Sequence, residues 1–592
     1  MKKLIYYVFA ATVLLVQGCQ KKSEKAEQNM PPISEVFARY YEERLPLYPL
    51  EATMNGDNRY NDKMSDDLSE AGKAKMIAFY RKYQDELAKY DRSTLTAEEQ
   101  VSWDLIEWEC GINLEGFKYP TELMPINQIF STHLLVAQMA SGSSLQPFKT
   151  VKDYDNWLKR VDGFVVWCDT AVVNMRKGIK EGYVLPGPLI KKVIPQLADM
   201  DHGPVKEHLF YSPVKNFPKD FSDEDKARLE KEYAAMVESK VIPAFQKLHV
   251  FMEKEYVPAG RTTDGFSALP NGKSLYNYYI KYYTTTELTA EEIHQIGSKE
   301  VARISAEMEK VKAQVGYQGD LKSFFNAVRT NKKLMPFTKA DQVIAHFNAI
   351  HERMKPNLTR LFELTPKTPF EVRRTEAFRE ASASAEYNPG LPDGSRPGIF
   401  YVPVPDAAAY NIVSDESLFL HEAIPGHHYQ ISLQQENTAL PEFRKNLWYS
   451  AYGEGWALYT ESLGKELGLY TDPYQYFGML SAEMHRAIRL VVDTGLHAKG
   501  WTRDQAIKYS LDHEAESEES ITAEVERYMA GAGQALSYKI GQLKIRELRS
   551  KAEKEMGAKF DIRAFHKLVL ESGCLPLKLL EQKVDQWIKA GK

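Results

Sequence analysis

The stretch His421-Glu422-Ala423-Ile424-Pro425-Gly426-His427-His428 constrains this chain more than any other. It places three histidines and a glutamate within eight residues. Imidazole is the commonest protein ligand for zinc, and a glutamate beside a liganding histidine is the general base that zinc hydrolases use on water. The usual arrangement, H-E-x-x-H, sets both histidines on one face of a helix. Here the fourth position after His421 is Pro425. In a straight helix six residues advance about 9 Å and leave the starting face, while seven regain the face about 10.5 Å away, too far for one ion. A shared ion therefore requires a distorted helix. Pro425 removes a backbone donor and clashes with the preceding turn, and Gly426 tolerates the dihedrals that result. A wide turn or π-bulge at Pro-Gly would swing one histidine back toward His421. His427 is favoured for that role, with His428 as the alternative.

With Gln430 the stretch reads H-E-x-x-P-G-H-H-x-Q. In this it resembles bacterial proteins grouped as domain of unknown function 885, which are similar in outline to helical zinc metallopeptidases of the gluzincin type. Further segments carry the same resemblance across roughly the last 330 residues: Leu269-Pro270-Asn271-Gly272 with Thr284-Thr285, Asp393 to Gly398, Val492 to Trp501 and Gly533 to Gly541. The resemblance implies a third ligand, a glutamate on a following helix. Glu454 in Glu454-Gly455-Trp456-Ala457-Leu458-Tyr459-Thr460-Glu461 matches it. Leu440-Pro441 marks the turn between the two helices. Glu461, on the same helix face as Glu454, is a candidate to orient a ligand. The fold expected is mainly α, a large helical zincin-like metallopeptidase with a small β-sheet next to the metal-binding helix.

The remaining chemistry needs a base and an oxyanion donor. Glu422 is the expected base, taking a proton from metal-activated water and passing it to the leaving group. Tyr538, in a polar and glycine-flanked segment, is the first candidate for the donor, and His497 the second. Arg527, Lys539 and Arg396 are candidates to hold a substrate carboxylate, since arginine suits bidentate recognition of that group. His428, where it is not a ligand, is a candidate for substrate contact. The four glutamates from Glu514 to Glu519 read as a solvated helix face, and the closely spaced Tyr278, Tyr279, Tyr282 and Tyr283 as packing.

The N-terminus reads as a processing signal. Lys2 and Lys3 precede an apolar run from Leu4 to Val16, and Val16-Gln17-Gly18-Cys19 has the form of a bacterial lipobox. Residues 1–18 are the expected signal peptide and Cys19 the expected lipidation site. Residues 19–32 form a polar tether. Gln20 after the cysteine points to a lipoprotein of the outer membrane, facing the periplasm of a Gram-negative cell. Three cysteines remain, Cys110, Cys168 and Cys574, none in a Cys-x-x-Cys pair, so neither a thiolate metal site nor a disulfide framework is expected. A net charge of -5 without a dense basic stripe excludes a nucleic-acid partner.

Residues 33–260 read as a helical region and 261–592 as the metal-binding region, with one interleaved domain as the alternative. Helices are expected from Glu70 to Tyr90, from Asp223 to Lys254, and from a capping box at Thr289 to about Ala313. Strands are expected at Phe370 to Arg374 and Gly398 to Val404. Ser414 or Asp415 is the expected N-cap of the His421 helix. The function expected is that of a hydrolase using one zinc ion and acting on short peptides. A metal hydrolase for another amide or ester and a non-catalytic ligand-binding lipoprotein are the alternatives. No G-x-S-x-G supports a serine hydrolase.

Overall fold

The computed structural model describes residues 30–591 apart from 143–144, 377–379, 381–383 and 395. The signal peptide, Cys19 and most of the tether lie outside the described residues. The chain is mainly helical because its apolar residues recur at three- and four-residue steps. The helix expected from Glu70 spans Glu70–Leu87, with the Ser69 hydroxyl capping Gly72. Thr289 and Glu292 form the full capping box. The long segment from Asp223 does not run straight. Two π-helical turns, Val237–Val241 and Met252–Tyr256, interrupt it just ahead of Pro243 and Pro258. A proline ring cannot accept the normal turn preceding it, and a widened turn relieves the clash.

Nine helices are used below: α1 Ile33–Arg44, α2 Gly272–Thr284, α3 Ala290–Gln314, α4 Asp415–Glu422, α5 His427–Glu436, α6 Ser450–Glu461, α7 Pro473–Ala498, α8 Glu518–Ala530 and α9 Ser537–Met556. The strands are β1 Phe370–Arg374, β2 Glu386–Asn388 and β3 Gly398–Val402, in the order β1-β3-β2. β1 runs parallel to β3, with Val372 opposite Phe400, and β2 pairs antiparallel to it. The central strand is almost wholly buried, whereas β1 buries only Val372. Both expected strands form; β2 was not foreseen from the sequence.

Two close helix contacts fix the interior. α3 crosses α7 at Gly297, where a Cβ would lie 2.7 Å from that of Leu490. α6 crosses α9 where Gly455 meets Gly541, and a Cβ on Gly455 would sit 2.5 Å from the Gly541 Cα. The larger apolar core runs from Ile33 to Ile588. In it Phe37 and Tyr40 of α1 pack against Phe443, tilted and edge-on, at 5.9 and 5.7 Å between ring centroids. A second core lies wholly within residues 50–256. The partition expected at 260 thus cuts through the larger core. Cys110, Cys168 and Cys574 are buried free thiols. No described helix is long and apolar enough to cross a membrane.

Candidate metal centre

The expected bulge within one helix is instead a break between two. α4 ends at Glu422, Ala423 turns the chain with φ -105° and ψ -104°, the Ile424–Pro425 peptide is cis, and α5 begins at His427. Gly426 is required here by close approach. A Cβ at this position would lie 1.9 Å from the His421 carbonyl oxygen and 2.3 Å from that of Leu420. α6 pins the break from the side, since Trp456 Nε1 donates to the Pro425 carbonyl at 2.9 Å and Thr460 Oγ1 to that of Leu420 at 2.8 Å. Ser414 occupies the cap position of α4 but makes no side-chain cap bond, so the expected cap is absent. The 3₁₀ turn Ile412–Ser414, capped by Asn411, leads directly into the helix and takes its place.

The break brings His421 and His427 together although they are six residues apart. Their rings stand at 88° with centroids 4.9 Å apart. His421 Nε2 lies 3.6 Å and His427 Nε2 3.4 Å from the same oxygen, Glu454 Oε2. One donor atom from each of the three residues falls within 4.8 Å of the others, so the group could hold a metal ion. Glu454 Oε2 is buried with no hydrogen-bond partner. A buried carboxylate oxygen left bare is costly unless a cation completes it, so the donor set fits a metal. His427, not His428, is the histidine that converges.

Glu461 orients the first ligand. Its Oε1 accepts from His421 Nδ1 at 2.8 Å, and its Oε2 accepts from Ser417 Oγ at 2.7 Å. With Nδ1 so occupied, Nε2 presents its lone pair to the centre. In the metal-free protein burial alone would lower the His421 pKa. The carboxylates of Glu454 and Glu461 outweigh it and hold the ring at about 9. The two imidazoles hold Glu454 far below the usual carboxylate range against its burial.

Glu422 sits at the end of α4 facing this group. Burial raises its pKa, with the neighbouring His421, His427 and Arg486 pulling the other way. It has no hydrogen bond to another described residue. Tyr538 is also at the site. Burial raises its hydroxyl pKa first, and the Glu454 charge adds to the rise. The Gly455–Gly541 contact causes this proximity, because it lets α9 lie against the helix that carries Glu454. Trp448 forms a wall beside His427, at 5.9 Å between centroids, and keeps 44% of its surface exposed. Tyr282 keeps 43% of its surface exposed. A cleft lined by Trp108, Lys281, Thr285 and Leu577 holds none of His421, His427 and Glu454.

Other residues singled out from the sequence are engaged elsewhere. His497 accepts from the Phe266 N–H through Nδ1 and donates to the Tyr528 carbonyl through Nε2, each at 3.0 Å. Both nitrogens bind backbone, leaving none for an oxyanion, and this ring holds two segments together. Lys539 is fully buried and spent on Glu300, Glu483 and Gln542, so it is not free for a substrate carboxylate. Arg527 is taken by Glu524 and Gln534. His428 turns the other way, accepting or donating at Nδ1 with the Tyr387 hydroxyl of β2 at 2.9 Å and packing on Phe370 of β1. It ties α5 to the sheet. Arg396 lies beside Tyr387 on that same side.

Sequence reading missed Arg486 and Arg489 of α7, which lie in a basic cluster with Arg527 of α8. Two buried guanidiniums, Arg489 and Arg527, share one carboxylate, Glu524, and the face of Arg489 lies 4.7 Å from the centre of the Tyr538 ring. Arg486, one helical turn before Arg489, acts on Glu422. The only sequence signal was two arginines three apart on an otherwise apolar helix.

A family model described as "Bacterial protein of unknown function (DUF885)" matches residues 49–584, and the chain belongs to that family. Two solved structures are similar over nearly the whole length. A candidate lipoprotein from Colwellia psychrerythraea has 29% identity and a TM-score of 0.86, covering 94% of this chain and 99% of that one. A candidate lipoprotein of unknown function from Shewanella oneidensis has 21% identity and a TM-score of 0.72, covering 93% and 99%. No curated protein matches.

Proposed function

We propose that this protein is a zinc-dependent hydrolase of short peptides, held at the cell envelope by a lipid on Cys19. The convergence of His421 Nε2, His427 Nε2 and the bare Glu454 Oε2 carries the reading. Two imidazoles, one carboxylate and an open position favour zinc over harder cations. Bound zinc supplies Lewis acidity toward a water and a carbonyl oxygen. Glu422 accepts the proton of the attacking water at its carboxylate and returns it to the leaving amine. Tyr538 donates its hydroxyl proton in a hydrogen bond to the oxyanion. β2 is an edge strand, fixed to α5 through Tyr387 and His428, and an extended peptide fits such an edge. The arrangement resembles the gluzincin plan, with the third ligand on a separate helix. The break between α4 and α5, which brings His421 and His427 together despite their six-residue spacing, supports this reading over a non-catalytic ligand-binding lipoprotein. The candidate-lipoprotein descriptions of both similar structures support the envelope location.

Elemental analysis of the purified protein, followed by a peptide-library screen with and without chelator, tests this. About one zinc per chain and chelator-sensitive cleavage are the expected results. A protein that takes up no zinc on titration sinks the proposal.

A further inference from the structure

The proposed site leaves one cation unspent. Of the basic side chains around it, Arg527 and Arg489 are ion-paired to Glu524, and Lys539 to Glu300 and Glu483. Arg486 pairs with no carboxylate among the described residues. Its Nε is buried without a hydrogen bond, and its Nη1 donates only to the Ala482 carbonyl of its own helix, at 3.2 Å. The side chain is half-buried on α7, which packs against α4, and its charge acts on Glu422. A guanidinium partly out of water and without a counter-ion is expensive to keep unless something completes it. The neighbouring Arg489–Arg527 pair, two cations against one carboxylate, adds positive potential on the same side. Arg489 is itself nine-tenths buried, and its Nη1 is also without a hydrogen bond.

We propose that Arg486 binds a carboxylate of the substrate, and that this carboxylate is the C-terminus of the peptide. This rests on the hydrolase reading above and names its substrate class: peptides with a free C-terminal acid, cleaved near that end. The planar fork of arginine matches a carboxylate in two parallel hydrogen bonds, and Arg486 Nη2 together with the second N–H of Nη1 remains to make them. Packing of α7 on α4, the helix that ends at Glu422, puts the bound acid on the side of the group that handles the proton. It also gives the site a means of rejecting peptides blocked at the C-terminus, since an amide there leaves the guanidinium without its partner.

Binding, rather than turnover, provides the test. The Glu422→Gln holoprotein is titrated by calorimetry with an N-acetylated tetrapeptide as free acid, as C-terminal amide, and as an amide carrying an internal glutamate. The free acid is expected to bind about ten- to hundredfold more tightly than the plain amide, the range for one charge-assisted contact. That preference is expected to collapse to within about twofold in Glu422→Gln/Arg486→Gln and to persist in part in Glu422→Gln/Arg486→Lys, which keeps the charge and loses the fork. Equal binding of acid and plain amide overturns the proposal, as does a preference that survives Arg486→Gln. Internal-glutamate amide binding as tightly as the free acid overturns the terminal assignment and leaves a side-chain carboxylate as the ligand. Metal analysis and circular dichroism of each variant show that the centre and fold are intact. A loss of peptidase activity in the parent protein, with acid-selective binding retained, would sink the hydrolase reading while leaving carboxylate recognition standing.

Discussion

At the residue scale the centre depends on few atoms, and each has a separable role. His421→Ala and Glu454→Ala are expected to lose stoichiometric metal, measured by elemental analysis after dialysis. Glu422→Gln is expected to keep the metal and lose at least about a hundredfold in turnover, the usual scale for a missing general base. Glu461→Gln is expected to weaken metal affinity by about ten- to hundredfold in a competition titration with a chromophoric chelator, because the hydrogen bond orienting His421 loses its charge. His421, Glu422 and His427 were legible in the sequence because they announce their chemistry within one short segment, whereas Glu454 came only through the family resemblance. Lys539 and His497 were misread for the converse reason. Their partners, Glu483 and the Phe266 amide, belong to other segments, and nothing local shows that the cation or ring is already satisfied. Arg527 was misread although its partner is Glu524, one turn earlier on its own helix, a local pairing the sequence did offer.

At the element scale what matters is how separate helices are held in register. Gly426→Ala puts a methyl 1.9 Å from a backbone oxygen that cannot move aside cheaply. It is expected to cost several kcal/mol of stability, on the order of the larger single-site effects, and to reduce metal content, both read by chemical denaturation and elemental analysis. Gly541→Ala would thrust its Cβ to 1.8 Å from the Ala451 carbonyl. It is expected to push α9 from α6 and so to impair Tyr538 more than metal binding, with kcat falling and metal content preserved. The sequence showed that Pro425-Gly426 must distort a helix but not what form the distortion takes. A bulge and a break use the same residues, and contacts from Trp456 and Thr460, outside the motif, accompany the break. β2 escaped notice because three residues carry no period, and the strand exists by virtue of its pairing with β3.

At the scale of the whole molecule, buried polar links join distant segments. Asp493 of α7 accepts from the Tyr276 hydroxyl of α2 at 2.6 Å and from the Gly533 N–H at 3.1 Å. Burial raises its pKa from 3.8 to about 7, against the lowering effect of those two donors. Below about pH 4 the carboxyl is protonated in both the folded and unfolded chain. Between there and pH 7 the unfolded chain ionises while the folded one keeps its proton, so stability falls as pH rises through this window. Denaturant midpoints at pH 5, 6 and 7 are expected to decline, and Asp493→Asn is expected to flatten that decline. The helical class and two strands could be read from periodicity, but not the reach of α1 across the chain to Phe443. That contact depends on a core assembled from both ends of the sequence.

The break at Gly426 has a mechanical side. One H-E-x-x-H helix would hold its two histidines by a continuous ladder of backbone hydrogen bonds, and the ion would find them already aligned. Here α4, α5 and α6 are three short rods with separate ends, and an ion held by one residue from each would act as a clasp across the gap. Removing such an ion would free the rods to fray from the break outward. Amide hydrogen exchange in 420–436 is therefore expected to quicken on chelation, while the core beneath α1 keeps its protection.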